Sequence, residues 1–174
     1  LLGIVFIFIF QSLSNGYLLQ ILRHVGGNDS DLGTTLFLTA MSELPVMMAF
    51  SLIASKVRIE TLLKFSALMF MIRSILMLFA GSVLMVNLVQ LLQALSFALL
   101  IPAAVYYVNH RMEEDDQVKG QAFVMSACTV GSVLAFLSGG WLIEQFSVPI
   151  MLLVGAIAGA AGFLCFMYSV RKKS

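Results

Sequence analysis

Apolar residues run along this chain in long stretches that short polar segments separate. A helix that crosses a bilayer needs about 20 of them, and six windows meet that length. They cover approximately residues 1–22, 34–55, 61–80, 83–108, 121–143 and 148–170. The runs lack the two-residue alternation of a barrel strand. The pattern therefore predicts an all-α membrane protein with six transmembrane helices.

The composition excludes several classes of soluble protein. Of the 174 residues, 60% are hydrophobic and only 11% are charged, whereas a soluble domain is about a quarter charged. A water-soluble enzyme and a nucleic-acid-binding domain are therefore excluded, and the lipid bilayer is the expected partner. Both cysteines, Cys128 and Cys165, fall inside predicted spans, so we expect neither a disulfide nor a metal site, and no cofactor.

The basic residues are distributed unevenly between the two sides of the predicted bundle. Eight of them follow the second, fourth and sixth spans, whereas Arg23 alone lies on the opposite side. Because basic residues near span ends stay cytoplasmic, we expect both ends of this segment in the cytoplasm and the bundle in the plasma membrane. The eight are Lys56, Arg58, Lys64, Arg111, Lys119, Arg171, Lys172 and Lys173.

Two features predict how the spans are organised. The links at 81–82 and 144–147 are very short, which predicts that the helices they join are antiparallel neighbours. Leucine-containing pairs at 52–53 and 62–63 reappear 90 positions later, around the fifth connector. This weak repeat predicts two three-helix halves, which are necessarily inverted in the membrane.

Four segments resemble the major facilitator superfamily, specifically its carboxy-terminal six-helix half. Residues 39–44, 53–58 and 69–74 look like parts of the lactose permease branch, and 137–143 looks like the superfamily's small-residue eleventh helix. The resemblance implies an alternating-access carrier whose amino-terminal six helices are missing here. The first span starts without Met or a preceding polar segment, which also predicts a fragment.

Glu43 and Arg73 are the two charges that lie deep inside predicted spans. Each is 12 residues from the cytoplasmic end of its span, Ser55 and Thr61 respectively, which at 1.5 Å per residue is about 18 Å. A buried charge is retained mainly where it is paired or functional. The short connector at residues 56–60 predicts that the second and third spans form a hairpin of adjacent antiparallel helices. Equal depth on these two helices predicts a direct or water-mediated pair. This pair either fixes packing or couples a proton to transport, with Arg73 favouring the charged form of Glu43.

Resemblance to the permease implies sugar recognition for Glu43 and coupling for Arg73. The chain departs from that pattern in the fourth span, where Gln90, Gln93 and Ser96 replace the permease's Lys, His and Glu. Ser51 and Ser55 also replace the glycine and acid of the superfamily's cytoplasmic signature. Permease-type coupling therefore does not carry over as a whole.

Amide side chains form two polar faces at mid-membrane depth. Asn87, Gln90 and Gln93 recur every three residues on the fourth span, and Gln11 and Asn15 lie one turn apart on the first. Amides donate and accept hydrogen bonds, which suits the hydroxyls of a polyol. We expect Gln90, Gln93, Gln11 and Asn15 to line a substrate cavity, and Asn87 to bond another helix.

Prolines and glycines predict the shape of the helices. Pro45 and Pro102 each remove a backbone donor inside a span, so bends are expected there. Small residues permit close helix packing, which we expect around two glycine pairs, Gly139 with Gly140 and Gly155 with Gly159. Packing within the chain is favoured over a homodimer contact through the last span.

The expected function is secondary active transport of a small organic solute, sugar-like by preference, with the proton as coupling ion. An efflux carrier of the same superfamily is one alternative, and a six-span substrate-binding subunit of an ATP-driven vitamin importer is another. An intramembrane serine protease needs a His within the membrane. Because His24 and His110 lie in or beside loops, we do not expect an enzyme.

Overall fold

The computed structural model describes residues 1–169, which form helices joined by short loops, with no strand among them. Two of the six predicted spans are each built from two consecutive helices. The helices are α1 (Leu2–Gly16), α2 (Leu18–His24), α3 (Asp29–Lys56), α4 (Ile59–Leu78), α5 (Val83–Leu91), α6 (Gln93–Arg111), α7 (Glu114–Gln145) and α8 (Val148–Ser169).

Length and apolar composition agree with membrane insertion. Five spans are long enough and apolar enough to cross a membrane when α5 and α6 are counted together. The bent pair α1–α2 supplies a sixth if it is counted as one span. The predicted windows largely coincide with these helices, although α4 ends at Leu78, two residues before its window, and several helices are longer. Most notably, α7 begins at Glu114 and takes Asp115 and Asp116 into its first turn, where carboxylates meet the positive end of the helix dipole. Residues 170–174, including three of the basic residues, lie outside the described residues.

The helices pack in a pattern that is symmetric between the two predicted repeats. The first span, α1, packs on α7 and α8, which are the second and third spans of the other repeat. The fourth span, mainly α6, correspondingly packs on α3 and α4. The third spans of both repeats, α4 and α8, pack on each other. Exchanging the repeats reproduces these main contacts, which agrees with the predicted pair of three-helix repeats.

The fourth span separates the second and third spans, which corrects one sequence-based expectation. Helices α3 and α4 are joined through Val57 and Arg58, yet α3 packs on α5 and α6, and α6 packs on α4. The expectation that α3 and α4 form a packed hairpin is therefore wrong. The 81–82 link does join packed neighbours, whereas α7 and α8 share only a small contact. Short links fix the order of helices, but apolar side-chain packing decides which faces meet.

Helix breaks occur away from the prolines. Helices α1 and α2 meet at Tyr17 with a bend of 61°, and α5 and α6 meet at Leu92. Both breaks lie in the halves of their spans that are predicted to be extracellular. Pro45 and Pro102 lie inside α3 and α6, which continue through them as single helices.

Candidate functional site

Arg73 is the largest fully buried side chain in the described residues, with no exposed surface. It projects from α4 among four amide side chains. Its Nη1 donates a hydrogen bond to Gln11 Oε1 over 2.7 Å, and its Nη2 donates to Asn15 Oδ1 over 3.2 Å, as well as to Gln90 and Gln93. The guanidinium is thus solvated by amide oxygens in place of water.

The amides come from the two broken spans. Gln11 and Asn15 are one turn apart on α1, and the break at Tyr17 follows directly. Gln90 and Gln93 lie on opposite sides of the break at Leu92. Residues three apart share a helix face, and here both amide oxygens reach the same Nη2 atom. The first span of each repeat therefore supplies half of the polar cluster around Arg73.

The guanidinium carbon of Arg73 lies over an aromatic ring. Arg73 Cζ is 5.4 Å from the centre of the Phe10 ring, a distance at which a cation is attracted to the ring face. Phe10 is itself buried and packs edge-on against Phe70, next to Arg73 on α4. Sequence reasoning missed Phe10, because it is one of 14 phenylalanines and no spacing separates it from the others.

Glu43 reaches the cluster through Gln93. Gln93 Nε2 donates a hydrogen bond to Glu43 Oε1 over 2.6 Å, while Gln93 Oε1 accepts from Arg73. The predicted pair is therefore a relay of carboxylate, amide and guanidinium. Within residues 1–169, the ion pairs closer than 4.0 Å are all elsewhere: Arg23 with Asp29, Arg111 with Glu60, and Lys119 with Asp116.

The relay runs from a partly exposed group to a fully buried one. Glu43 is partly exposed on α3. Of the apolar 18-residue stretch that qualifies α3 as a span, only 6% is buried within the bundle. Gln93 is 5% exposed and Arg73 is 0% exposed. Glu43 is therefore the accessible end of this relay and Arg73 is the enclosed end, and the two are linked through Gln93.

Several predicted amide and hydroxyl residues have structural partners. Asn87 Oδ1 accepts a hydrogen bond from Thr35 on α3 over 2.5 Å, which confirms the expected interhelical bond. Ser96 is buried, and its hydroxyl donates to the carbonyl of Leu92 at the break between α5 and α6. Its carbonyl accepts from Ser66 on α4 over 2.6 Å. These contacts join the fourth span to both of its neighbours.

The predicted small-residue positions are points of close packing. A Cβ on Gly139 would lie 2.4 Å from the Tyr17 ring, and one on Gly159 would lie 2.5 Å from Ser74 Oγ. Contacts at Gly140 and Gly155 are looser, with nearest distances of 3.3 Å to Tyr17 and Phe10 respectively. The glycines of α7 and α8 are thus used against α1 and α4 within this chain.

A bundle of apolar helices around a buried polar cluster defines a multi-pass integral membrane protein with an internal polar site. Comparison with protein-family models matches residues 1–174 to the Major Facilitator Superfamily. The chain belongs to this superfamily, whose members are carriers that move small solutes across membranes. A comparison with curated individual proteins found no match.

Proposed function

We propose that this chain is the carboxy-terminal half of a secondary active carrier that couples solute movement to protons through Glu43. The relay from Glu43 through Gln93 to Arg73 is the observation that carries the proposal. In this reading the other half is a second six-helix bundle, which faces the exposed side of α3. Both ends of the present segment are cytoplasmic in the plasma membrane.

The chemistry follows from the different exposure of the two charges. Arg73 keeps its proton under all ordinary conditions, whereas Glu43 can gain or lose one. Protonation of Glu43 removes the negative charge near Arg73 and leaves the guanidinium held only by neutral amides. An unpaired buried charge is costly, so this state favours a new partner or a rearranged cluster. Such a change links a proton on Glu43 to solute binding.

Superfamily membership favours a carrier over a vitamin-capturing subunit of an ATP-driven importer. A sugar-like solute is the expectation from the permease resemblance, and Gln11, Asn15, Gln90 and Gln93 are then its candidate partners. An exporter of drugs or sugars remains the alternative within the same superfamily. Uptake is proposed because the resemblance is to a symporter.

The test uses the full-length carrier in proteoliposomes with a pH-sensitive dye sealed inside. Gradients of sugars and of organic acids are applied in turn. We expect at least one solute to drive proton movement in the wild type, and Glu43→Gln to abolish it. The matched control is Glu144→Gln, an exposed carboxylate at the end of α7, which should behave as wild type. Unchanged solute-driven proton movement in Glu43→Gln would refute the proposal.

A further inference from the structure

We infer that the cluster around Arg73 binds the carboxylate of a small organic acid, which enters together with a proton on Glu43. This inference rests on the proposed function and adds the class of substrate to it. Three observations carry it: the spare hydrogen-bonding capacity of the cluster, the uneven use of the guanidinium, and the net charge of the site.

Most of the hydrogen-bonding groups that remain unused in the cluster around Arg73 are donors. The side-chain oxygens of Gln11, Asn15, Gln90 and Gln93 all accept hydrogen bonds from Arg73. Asn15 Oδ1 accepts a second one from Gln90 Nε2 over 3.3 Å. By contrast, the amide nitrogens of Gln11 and Asn15 donate to no other described residue. A ligand for this cluster is therefore an acceptor.

The guanidinium itself has a free donor on one edge. Arg73 Nε is buried and has no hydrogen-bond partner among the described residues. Its neighbour Nη2 has three acceptors for two hydrogens. The edge formed by Nε and Nη2 is geometrically suited to two parallel hydrogen bonds with one carboxylate. Binding there would satisfy Nε and release one amide from the crowded Nη2.

A neutral sugar satisfies the cluster less well. Its hydroxyls need acceptors as well as donors, and each of the four amide oxygens already accepts at least one hydrogen bond from Arg73. Among the side-chain oxygens of Glu43 and the four amides, only Glu43 Oε2 accepts no described hydrogen bond, since Glu43 Oε1 takes the bond from Gln93. A carboxylate uses donors only and also brings the charge that the buried cation lacks at hydrogen-bonding distance.

Charge neutrality of the site requires that Glu43 take up a proton when the carboxylate binds. With Glu43 ionised, Arg73 and Glu43 together are neutral, and a bound carboxylate would leave an excess negative charge in a low-dielectric site. Protonation of Glu43 restores neutrality. The helices packed on α3 are α2, α5 and α6. Helix α5 carries no titratable group, and those of α2 are Arg23 and His24 in its last turn, where Arg23 pairs with Asp29 at the start of α3 and not with Glu43. The titratable groups of α6 are Tyr106, Tyr107, His110 and Arg111, all near its cytoplasmic end, so Arg73 is the charge that faces Glu43.

The experiment measures ligand binding to the purified full-length carrier by thermal stabilisation in detergent. The probes are gluconate, lactate and benzoate, each paired with a neutral counterpart: sorbitol, lactamide and benzamide. We expect at least one acid to stabilise the wild type and its neutral partner not to do so. The apparent affinity should fall about tenfold per pH unit over the range in which Glu43 loses its proton.

Variants separate the parts of the inference. Arg73→Lys keeps the positive charge but loses the pair of parallel donors that bind a carboxylate, and should weaken acid binding at least about tenfold. Arg73→Gln should abolish acid binding. Arg23→Gln, which removes an exposed arginine, is the matched control and should bind as wild type. Glu43→Gln should still bind the acid, with no pH dependence. Monodisperse elution and cooperative unfolding show that each variant is folded.

Other outcomes overturn the inference. Equal stabilisation by acids and neutral partners, or none by any probe, contradicts an anion site, and acid binding without pH dependence in the wild type contradicts the linked proton. Proton-coupled transport of a neutral sugar alone would overturn this inference and leave the proposed function standing. Acid binding that depends on Arg73 and pH, but without proton movement in proteoliposomes, would support the inference and refute the proposed function.

Discussion

Gln93 donates a hydrogen bond of 2.6 Å to Glu43, and this bond is the described polar link from α3 to the arginine cluster. The same amide accepts from Arg73, so one side chain contacts both charges. An amide can do this because it carries a donor and an acceptor on one planar group. The position of Gln93 on α6, between α3 and α4, makes the fourth span the element that couples the two charged helices.

Gln93→Leu should disconnect Glu43 from Arg73. Leucine keeps much of the side-chain volume but removes both hydrogen bonds, and leaves Arg73 with fewer acceptors. We expect solute-driven proton movement to be lost and stability to fall by about 1.5–3 kcal/mol, because both lost hydrogen bonds are to charged groups. Transport is measured in proteoliposomes and stability by thermal unfolding in detergent.

The matched control for this change is Gln20→Leu, since Gln20 is an exposed glutamine on α2. It should leave transport and stability close to wild type. If Gln93→Leu moved protons at the wild-type rate, the amide relay would be irrelevant to coupling, and Glu43 would have to act by another route.

The Asn87–Thr35 bond should matter for stability and not for coupling. It joins α5 to α3 near the predicted extracellular end of the bundle, away from Arg73. Interhelical hydrogen bonds in membranes contribute about 0.6 kcal/mol on average, so Thr35→Val should lower the melting temperature only slightly. Proton coupling measured in proteoliposomes should be unchanged, and a loss of coupling would place this bond in the transport mechanism.

Sequence alone predicted the helical spans and placed Glu43 and Arg73 inside two of them, because both follow from local quantities. Apolar run length identifies a span, and the rise per residue predicts the depth of Glu43 and Arg73. The small-residue positions Gly139 and Gly159 were likewise recognisable, since a residue without a side chain inside a span has few roles other than close packing.

Sequence could not predict which helices meet. The connection between α3 and α4 indicated direct packing, but α6 lies between them. Hence the pairing of Glu43 with Arg73 through Gln93 depended on tertiary packing that no spacing encodes. The break at Leu92 was also missed, because neither proline nor glycine marks it, whereas Pro45 and Pro102 lie inside continuous helices.

Introduced cysteines should report the orientation of the bundle. In a background with Cys128→Ala and Cys165→Ala, Lys119→Cys lies at the exposed start of α7, and Ser30→Cys lies at the exposed start of α3. The basic-residue bias predicts that a membrane-impermeant maleimide labels Ser30→Cys in intact cells. Lys119→Cys should be labelled only after the membrane is opened, and the reverse pattern would invert the proposed topology.

The contact between Gly159 on α8 and Ser74 on α4 should set how closely these two helices, one from each repeat, can pack. A methyl group on Gly159 would lie 2.5 Å from Ser74 Oγ and 2.9 Å from its Cβ. Gly159→Ala should therefore force the helices apart and destabilise the protein by about 1–3 kcal/mol. Thermal unfolding in detergent measures the effect.

Two further variants distinguish overpacking from a general cost of changing glycine. Gly33→Ala is the control, because Gly33 lies inside α3 with open space where the methyl group of alanine would lie, and alanine should stabilise that helix by up to about 1 kcal/mol. Adding Ser74→Gly to Gly159→Ala removes both clashing atoms and should restore part of the lost stability. Equal destabilisation by Gly159→Ala and Gly33→Ala, or no recovery in the double variant, would show that this contact does not set the spacing between α4 and α8.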